Sequence, residues 1–250
     1  MITGNLDNPP WAEIARFAPD ACVHTAWVTA PGEYLESPAN ELFLEWSRVL
    51  LDRLAKMEVP RFVGLGTCIE YRTGPERLDE ERTPIHPVSR YARCKDALRR
   101  YGEDLAQGRN LTFAWGRIFY PYGPGEHPDR LCSSIVRRLA RGEVVRLQTP
   151  HSCKDYIFRD DLARAILRVV ESGWRGCINL GTGTGVEVIE MARTLGRLMG
   201  CEDQVQPANP PAVDTLPFVV AEISRLRSLG WLPQTSIDSG LRQLAETMRP

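Results

Sequence analysis

The stretch SRYARCKDALRRYGEDL, residues 89–105, decides how the chain folds. Tyr91, Cys94, Leu98, Tyr101 and Leu105 recur at spacings of three and four, which predicts a helix with one apolar stripe. Residues four apart on a helix share a face, so the Tyr91 phenol lies beside the Lys95 ammonium. A lysine next to a phenol stabilises the phenolate, which suits moving a proton to or from a sugar or alcohol oxygen. The same spacing also suits a core tyrosine beside a solvated lysine. The pair alone leaves both readings open.

The flanking segments give the pair a context. RFVGLGT (61–67) precedes it and NLTFAWGRIF (110–119) follows, both reading as strands. Further upstream, ACVHTAW (21–27) reads as a strand. NELFLEWSRVLLDRLAKM (40–57) reads as a helix with Leu42, Trp46, Val49, Leu50, Leu54 and Met57 on one face. Strands alternating with helices of this length predict an α/β fold: a parallel sheet of βαβ units with helices on both faces. After Tyr120 the texture changes to a loop, PYGPGEHPD, then the helix RLCSSIVRRLARGE and the short strand VVRLQ. A helix opened by Asp160 and Asp161 follows, then a Pro-rich connector (207–217) and two short closing helices. The expected division is residues 1–120 for a dinucleotide-binding domain and 121–250 for a mainly substrate-binding lobe interleaved with it.

Composition narrows the classes. The 250 residues are 43% hydrophobic and 25% charged with a net charge of -1, the profile of a soluble globular protein. Near-zero net charge argues against nucleic acid or an anionic membrane as partner. No run of about 18 apolar residues predicts a transmembrane helix, and the N-terminus lacks the basic and apolar regions of a signal peptide. Seven scattered cysteines without C-x-x-C point to reduced thiols in a cytoplasm and to no metal site. GTGTG (181–185) follows the short strand CINL and precedes a helix. It lacks the third glycine of a dinucleotide fingerprint, so it reads as a tight turn.

The motifs come in a recognisable order: GTCIEY at a strand end, YARCK, GRIFYPYGPGE, KDYIFRDDLARAI, NLGTGTG and LGWLPQTSIDSGL. This set resembles the extended short-chain dehydrogenase/reductase family, the NAD-dependent epimerases and dehydratases of nucleotide sugars, over most of the chain. The resemblance implies a Rossmann-like fold, NAD or NADP as cofactor, a nucleotide-diphosphate sugar as substrate and a homodimer. It implies Tyr91 as acid/base, with Lys95 binding the nicotinamide ribose. Thr67 takes the place of the family's catalytic Ser or Thr, since its hydroxyl can bond the same substrate oxygen. HTAW (24–27) resembles the segment that lies against the cofactor, which brings in His24 and Ala26, with His24 itself more of a structural strand residue. Phe119, Tyr120, Arg130 and Lys154 are the implied contacts to the nucleotide half. Lys154 stands where the family has an arginine that clamps a diphosphate, and a point charge replaces a fork there. Asp155 and Asp161 are expected to orient and cap. A 4,6-dehydratase is disfavoured, because those relatives carry Asp-Glu directly after the threonine and this chain has Cys68 and Ile69.

One departure is large. In the family a βαβαβ portion of about 55 to 60 residues with a glycine-rich phosphate loop precedes the strand that here is ACVHTAW. Three expectations follow: a start internal to a longer protein, a genuine short chain, or a non-catalytic nucleotide-sugar-binding remnant. The intact Thr67, Tyr91 and Lys95 favour the first. The expected activity is that of a nucleotide-sugar epimerase or 4-ketoreductase, with a reductase of non-sugar carbonyls as a further alternative.

Overall fold

The computed structural model describes residues 1–247. Its elements run in chain order as α1 (Trp11–Phe17), β1 (Cys22–His24), α2 (Ala39–Lys56), β2 (Arg61–Thr67), α3 (Arg90–Ala106), β3 (Thr112–Ile118), β4 (Tyr120–Tyr122), α4 (Leu131–Ala140), β5 (Val145–Leu147) and β6 (Cys153–Phe158). They continue as α5 (Arg159–Ser172), β7 (Gly176–Leu180), β8 (Gly185–Glu187), α6 (Val188–Met199), β9 (Val205–Pro207), β10 (Phe218–Val219), α7 (Ser224–Ser228) and α8 (Ile237–Thr247).

The chain forms two units. Unit 1 comprises Met1–Arg72, Pro84–Arg117 and Ile166–Ile178; unit 2 comprises Thr73–Thr83, Ile118–Ala165 and Asn179–Pro250. Unit 1 is built on the sheet β1-β2-β3-β7. β1 and β2 pair in parallel, with Cys22 opposite Phe62 and His24 opposite Gly64. β2 and β3 bury five consecutive residues each, as strands covered on both faces do. The core of unit 1 gathers Leu51, Leu54, Phe62, Leu98, Phe113 and Trp115. α3 begins where Ser89 Oγ accepts the Ala92 N–H at 3.2 Å, a side-chain cap. Gly102 lets α3 close on β3, since a Cβ there would meet the Phe113 ring.

Two sequence expectations change. The first strand is three residues, not seven, because from Thr25 the chain leaves the sheet and buries Trp27, whose Nε1 donates to Asn40 Oδ1 at 2.8 Å. On α2 the buried face is Asn40, Leu44, Ser47, Leu51 and Leu54, while Leu42 and Val49 are 54% and 53% exposed. Two polar residues belong to the inward stripe because each finds a buried partner, Trp27 for Asn40 and His24 for Ser47. The short helix α1 precedes β1.

Unit 2 holds a sheet in which β6 pairs in parallel with β4 and β10 and antiparallel with β8. A separate two-stranded ladder joins β5 and β9. α4, α6 and α8 bury Ile135, Val136, Met191, Leu195, Leu241 and Leu244 in its core. The Asp155 carboxylate accepts N–H groups from Thr182 at 2.8 Å, Gly183 at 2.9 Å and Ala221 at 3.2 Å. The Thr182 and Gly183 amides of GTGTG are thereby committed to a side chain of the protein, in keeping with the tight turn expected there. Asp161 accepts Gln234 N at 2.8 Å and Thr235 N at 2.9 Å, the orienting role expected of it.

Candidate active site

In unit 1 the end of β2 carries Thr67 and the first two turns of α3 carry Tyr91 and Lys95, with Lys95 joined to β2 at Leu65. Lys95 points inward and is 3% exposed. Its ammonium donates to the Leu65 carbonyl of β2 at 2.8 Å and stands over the Trp27 ring, 3.9 Å from its centroid. It lies 5.7 Å from the Tyr91 ring centroid. An ammonium has three donors, and Leu65 O is its one acceptor among the described residues. Burial pushes Lys95 down to about 7, and the negative charge of Glu70 works against that fall. Tyr91 is half-buried, packed edge-on against Tyr34 at 4.9 Å, with its N–H donating to Leu35 O at 2.9 Å. The 30–37 loop thus fixes the start of α3.

Thr67 is half-buried at the last position of β2. It caps a short 3-10 turn, Cys68–Glu70: its N–H donates to Glu70 Oε1 at 2.9 Å and its Oγ1 accepts from Ile69 N at 3.5 Å. Glu70 is fully buried and takes further donors from Trp115 Nε1 at 3.1 Å and Arg117 Nε at 2.8 Å. Arg117 also donates to the Tyr71 hydroxyl at 3.0 Å and lies over that ring. The pairing of Glu70 with Arg117 did not stand out from the sequence, since they lie 47 residues apart. The available signal was a lone arginine inside the apolar run TFAWGRI, which demands a buried partner of opposite sign.

The other predicted residues separate. The His24 imidazole faces the core, with Nε2 2.7 Å from Ser47 Oγ, and burial beside Lys95 holds it down at about 3. Its side chain is therefore a neutral structural group, while Ala26 is exposed. Phe119, Tyr120, Arg130 and Lys154 lie in unit 2. Phe119 is buried and its N–H donates to Leu180 O at 3.1 Å. Tyr120 opens β4, with the Lys154 ammonium 5.7 Å from its ring centroid. Lys154 is 8% exposed and donates to the Leu216 carbonyl in the Pro-rich connector. Half-buried Arg130 is the residue before α4. No group of three or more His, Cys, Asp or Glu among the described residues could hold a metal ion, and no helix among them is long and apolar enough to cross a membrane.

Comparison with known proteins gives the family of the chain. The family model described as NAD dependent epimerase/dehydratase family matches residues 1–181. The low-salt glycan biosynthesis protein Agl12 of Haloferax volcanii is 23% identical over 201 residues, which covers 79% of this chain and 64% of that protein. A dTDP-glucose 4,6-dehydratase of Neisseria gonorrhoeae is 25% identical over 272 residues, covering 93% of this chain and 75% of that protein. Among solved structures, a UDP-glucose 4-epimerase of Thermus thermophilus in complex with NAD superposes with a TM-score of 0.82 at 26% identity, covering 96% of this chain and 80% of that one. A UDP-glucose 4-epimerase of Thermotoga maritima with UDP-glucose gives a TM-score of 0.84 at 23% identity, covering 98% and 83%. The family match takes in all of Thr67, Tyr91 and Lys95 and well over half of the sequence, so the chain belongs to the NAD dependent epimerase/dehydratase family.

Proposed function

We propose that this chain acts with NAD or NADP on a nucleotide-diphosphate sugar, as an epimerase or 4-ketoreductase in which Tyr91 moves the proton. The observation that carries the reading is the pair on α3. Lys95 is buried one turn from Tyr91, held by Leu65 O, with donors to spare. Those donors fit the hydroxyls of a nicotinamide ribose, and exposed Ala26 lies in the segment whose Trp27 covers Lys95. The fit reaches the ribose end of the cofactor. In the glycine-containing GTGTG turn the Thr182 and Gly183 amides are held by Asp155, so no pyrophosphate contact is assigned to it.

When bound, the nicotinamide accepts and returns a hydride. The chain's own residues manage the proton. Tyr91 takes it from a sugar hydroxyl or gives it to a ketone. The Lys95 charge favours the phenolate that results. Thr67 Oγ1 donates to the same sugar oxygen. A buried carboxyl acid for dehydration is missing from this set, because Glu70 is committed to Arg117, Trp115 and Thr67 N. In unit 2, Phe119, Tyr120, Arg130 and Lys154 serve the nucleotide and its phosphates, Lys154 as a point charge steadied by Leu216 O.

The test is turnover of UDP-glucose or dTDP-glucose with NAD or NADP by the purified chain. Tyr91→Phe is expected to lower kcat by about 100-fold or more, the scale of a lost acid/base. Full turnover in a folded Tyr91→Phe protein removes Tyr91 from the chemistry. A homodimer completes the reading, supported by the exposed Leu42 and Val49 on α2. Leu42→Glu is expected to halve the mass seen by light scattering, and a single-chain mass for the unsubstituted protein disproves the dimer.

A further inference from the structure

Asn40, the second residue of α2, is fully buried. Its side-chain amide has three partners. Oδ1 accepts the Trp27 indole N–H at 2.8 Å. Nδ2 donates to the Tyr34 carbonyl at 2.7 Å and to the Ser37 carbonyl at 2.9 Å. An indole N–H only donates and a carbonyl only accepts, so the partners fix which end of the amide faces which. Each end then leads by direct contact to a catalytic candidate. The Trp27 ring faces the Lys95 ammonium, with Nζ 3.9 Å from the ring centroid. A cation that close to the face of an indole is held by the ring electrons, the more so away from water. The Tyr34 ring stands edge-on to the Tyr91 ring at 4.9 Å, and Leu35 O accepts the Tyr91 N–H at 2.9 Å.

We propose that Asn40 is a positioning residue for Lys95 and Tyr91: its Oδ1 holds the Trp27 ring against the Lys95 ammonium, and its Nδ2 holds the 34–37 turn that seats the start of α3. The inference rests on the acid–base reading of Tyr91 and Lys95. Residues 25–37 form neither strand nor helix, so no ladder fixes the path of this stretch. One side chain of α2 ties it down near both ends, at Trp27 and at Tyr34 and Ser37. The Lys95 head is thereby held on two sides, by Leu65 O of β2 and by the Trp27 ring. The task needs one acceptor and two donors in a single short planar group, which is what an asparagine amide supplies. Leucine in its place has a similar size and leaves the indole N–H and two carbonyls without this partner. Aspartate keeps the acceptor for Trp27 and gives up at least one of the two donors.

The chain has three lysines, Lys56, Lys95 and Lys154, so lysine labelled with carbon-13 at Cε gives three signals, with Lys95 assigned by its loss in Lys95→Arg. Protons over the face of an aromatic ring resonate upfield. In the unsubstituted protein the Lys95 Cε protons are expected upfield of those of exposed Lys56. A Lys95 signal at the Lys56 position overturns the proposal without any Asn40 variant. In Asn40→Leu the Lys95 signal is expected to move downfield toward that of Lys56, and an unmoved signal overturns the hold on Trp27. In Asn40→Asp the Lys95 signal is expected to stay while the Tyr91 amide exchanges with solvent roughly tenfold faster. Unchanged exchange overturns the hold on the 34–37 turn, and Asn40→Asp decides that arm even if Asn40→Leu does not fold. With UDP-glucose and NAD, kcat of an active enzyme is expected to fall by up to about 100-fold in Asn40→Leu, the scale of a misplaced catalytic group. The KM for UDP-glucose is expected to stay, because the proposed nucleotide contacts lie in unit 2. A kcat that does not fall overturns the positioning role. A parent chain without turnover, but with a Lys95 signal that moves in Asn40→Leu, defeats the enzymatic reading and keeps the link from Asn40 to Lys95. Turnover with an unmoved signal defeats that link alone.

Discussion

His24 shows how one side chain can serve a site without entering it. It is 4% exposed, bonded to Ser47 and tilted against Phe62 at 5.9 Å. Its folded value of about 3 lies below the ordinary 6.5, so between those limits the unfolded chain binds a proton that the folded chain refuses. The stabilisation from neutral burial is complete above pH 6.5 and drains away as pH falls toward 3. Below 6.5 the parent protein is expected to lose about 1.4 kcal/mol per pH unit relative to His24→Gln, which does not titrate. Urea melts of both proteins at pH 7 and pH 5 measure this difference. Parallel losses would mean that His24 is protonated in the folded state.

At the scale of elements, legibility followed the reach of the interactions. β2 was readable because its buried run RFVGLGT is apolar from Phe62 to Leu65, and α3 because its stripe and its Ser89 cap are local. Thr67, Tyr91 and Lys95 sit on those two elements, so the catalytic candidates were readable with them. α2 was not readable in its orientation. Its inward face includes Asn40 and Ser47, which tolerate burial only through Trp27 and His24 on another segment. A rule that sends polar residues outward then picks Leu42 and Val49, which face solvent. β1 was overlong for the same reason, since what ends it is the hydrogen bond of Trp27 to Asn40. Lys154 carries a partner 62 residues onward, in a connector whose path local sequence does not encode. Asp155 and Asp161 were readable as orienting groups and unreadable in target.

At the scale of the whole molecule, the chain passes between its units five times, at Arg72–Thr73, Thr83–Pro84, Arg117–Ile118, Ala165–Ile166 and Ile178–Asn179. Three of those passages lie inside regular elements, within β3, α5 and β7. A polypeptide of residues 1–120 would lack Ile166–Ile178, and with it the strand that stands next to β3. It is expected to show no cooperative thermal transition by circular dichroism, whereas the full chain does. A sharp transition in the fragment would show that β7 is dispensable for unit 1. The interleaving also bears on heredity. A single genetic crossover anywhere between codons 73 and 178 divides at least one unit between two parents. Neither unit can be exchanged as a cassette, so a change of substrate preference in this lineage has to arise by substitution within an inherited whole rather than by shuffling of parts.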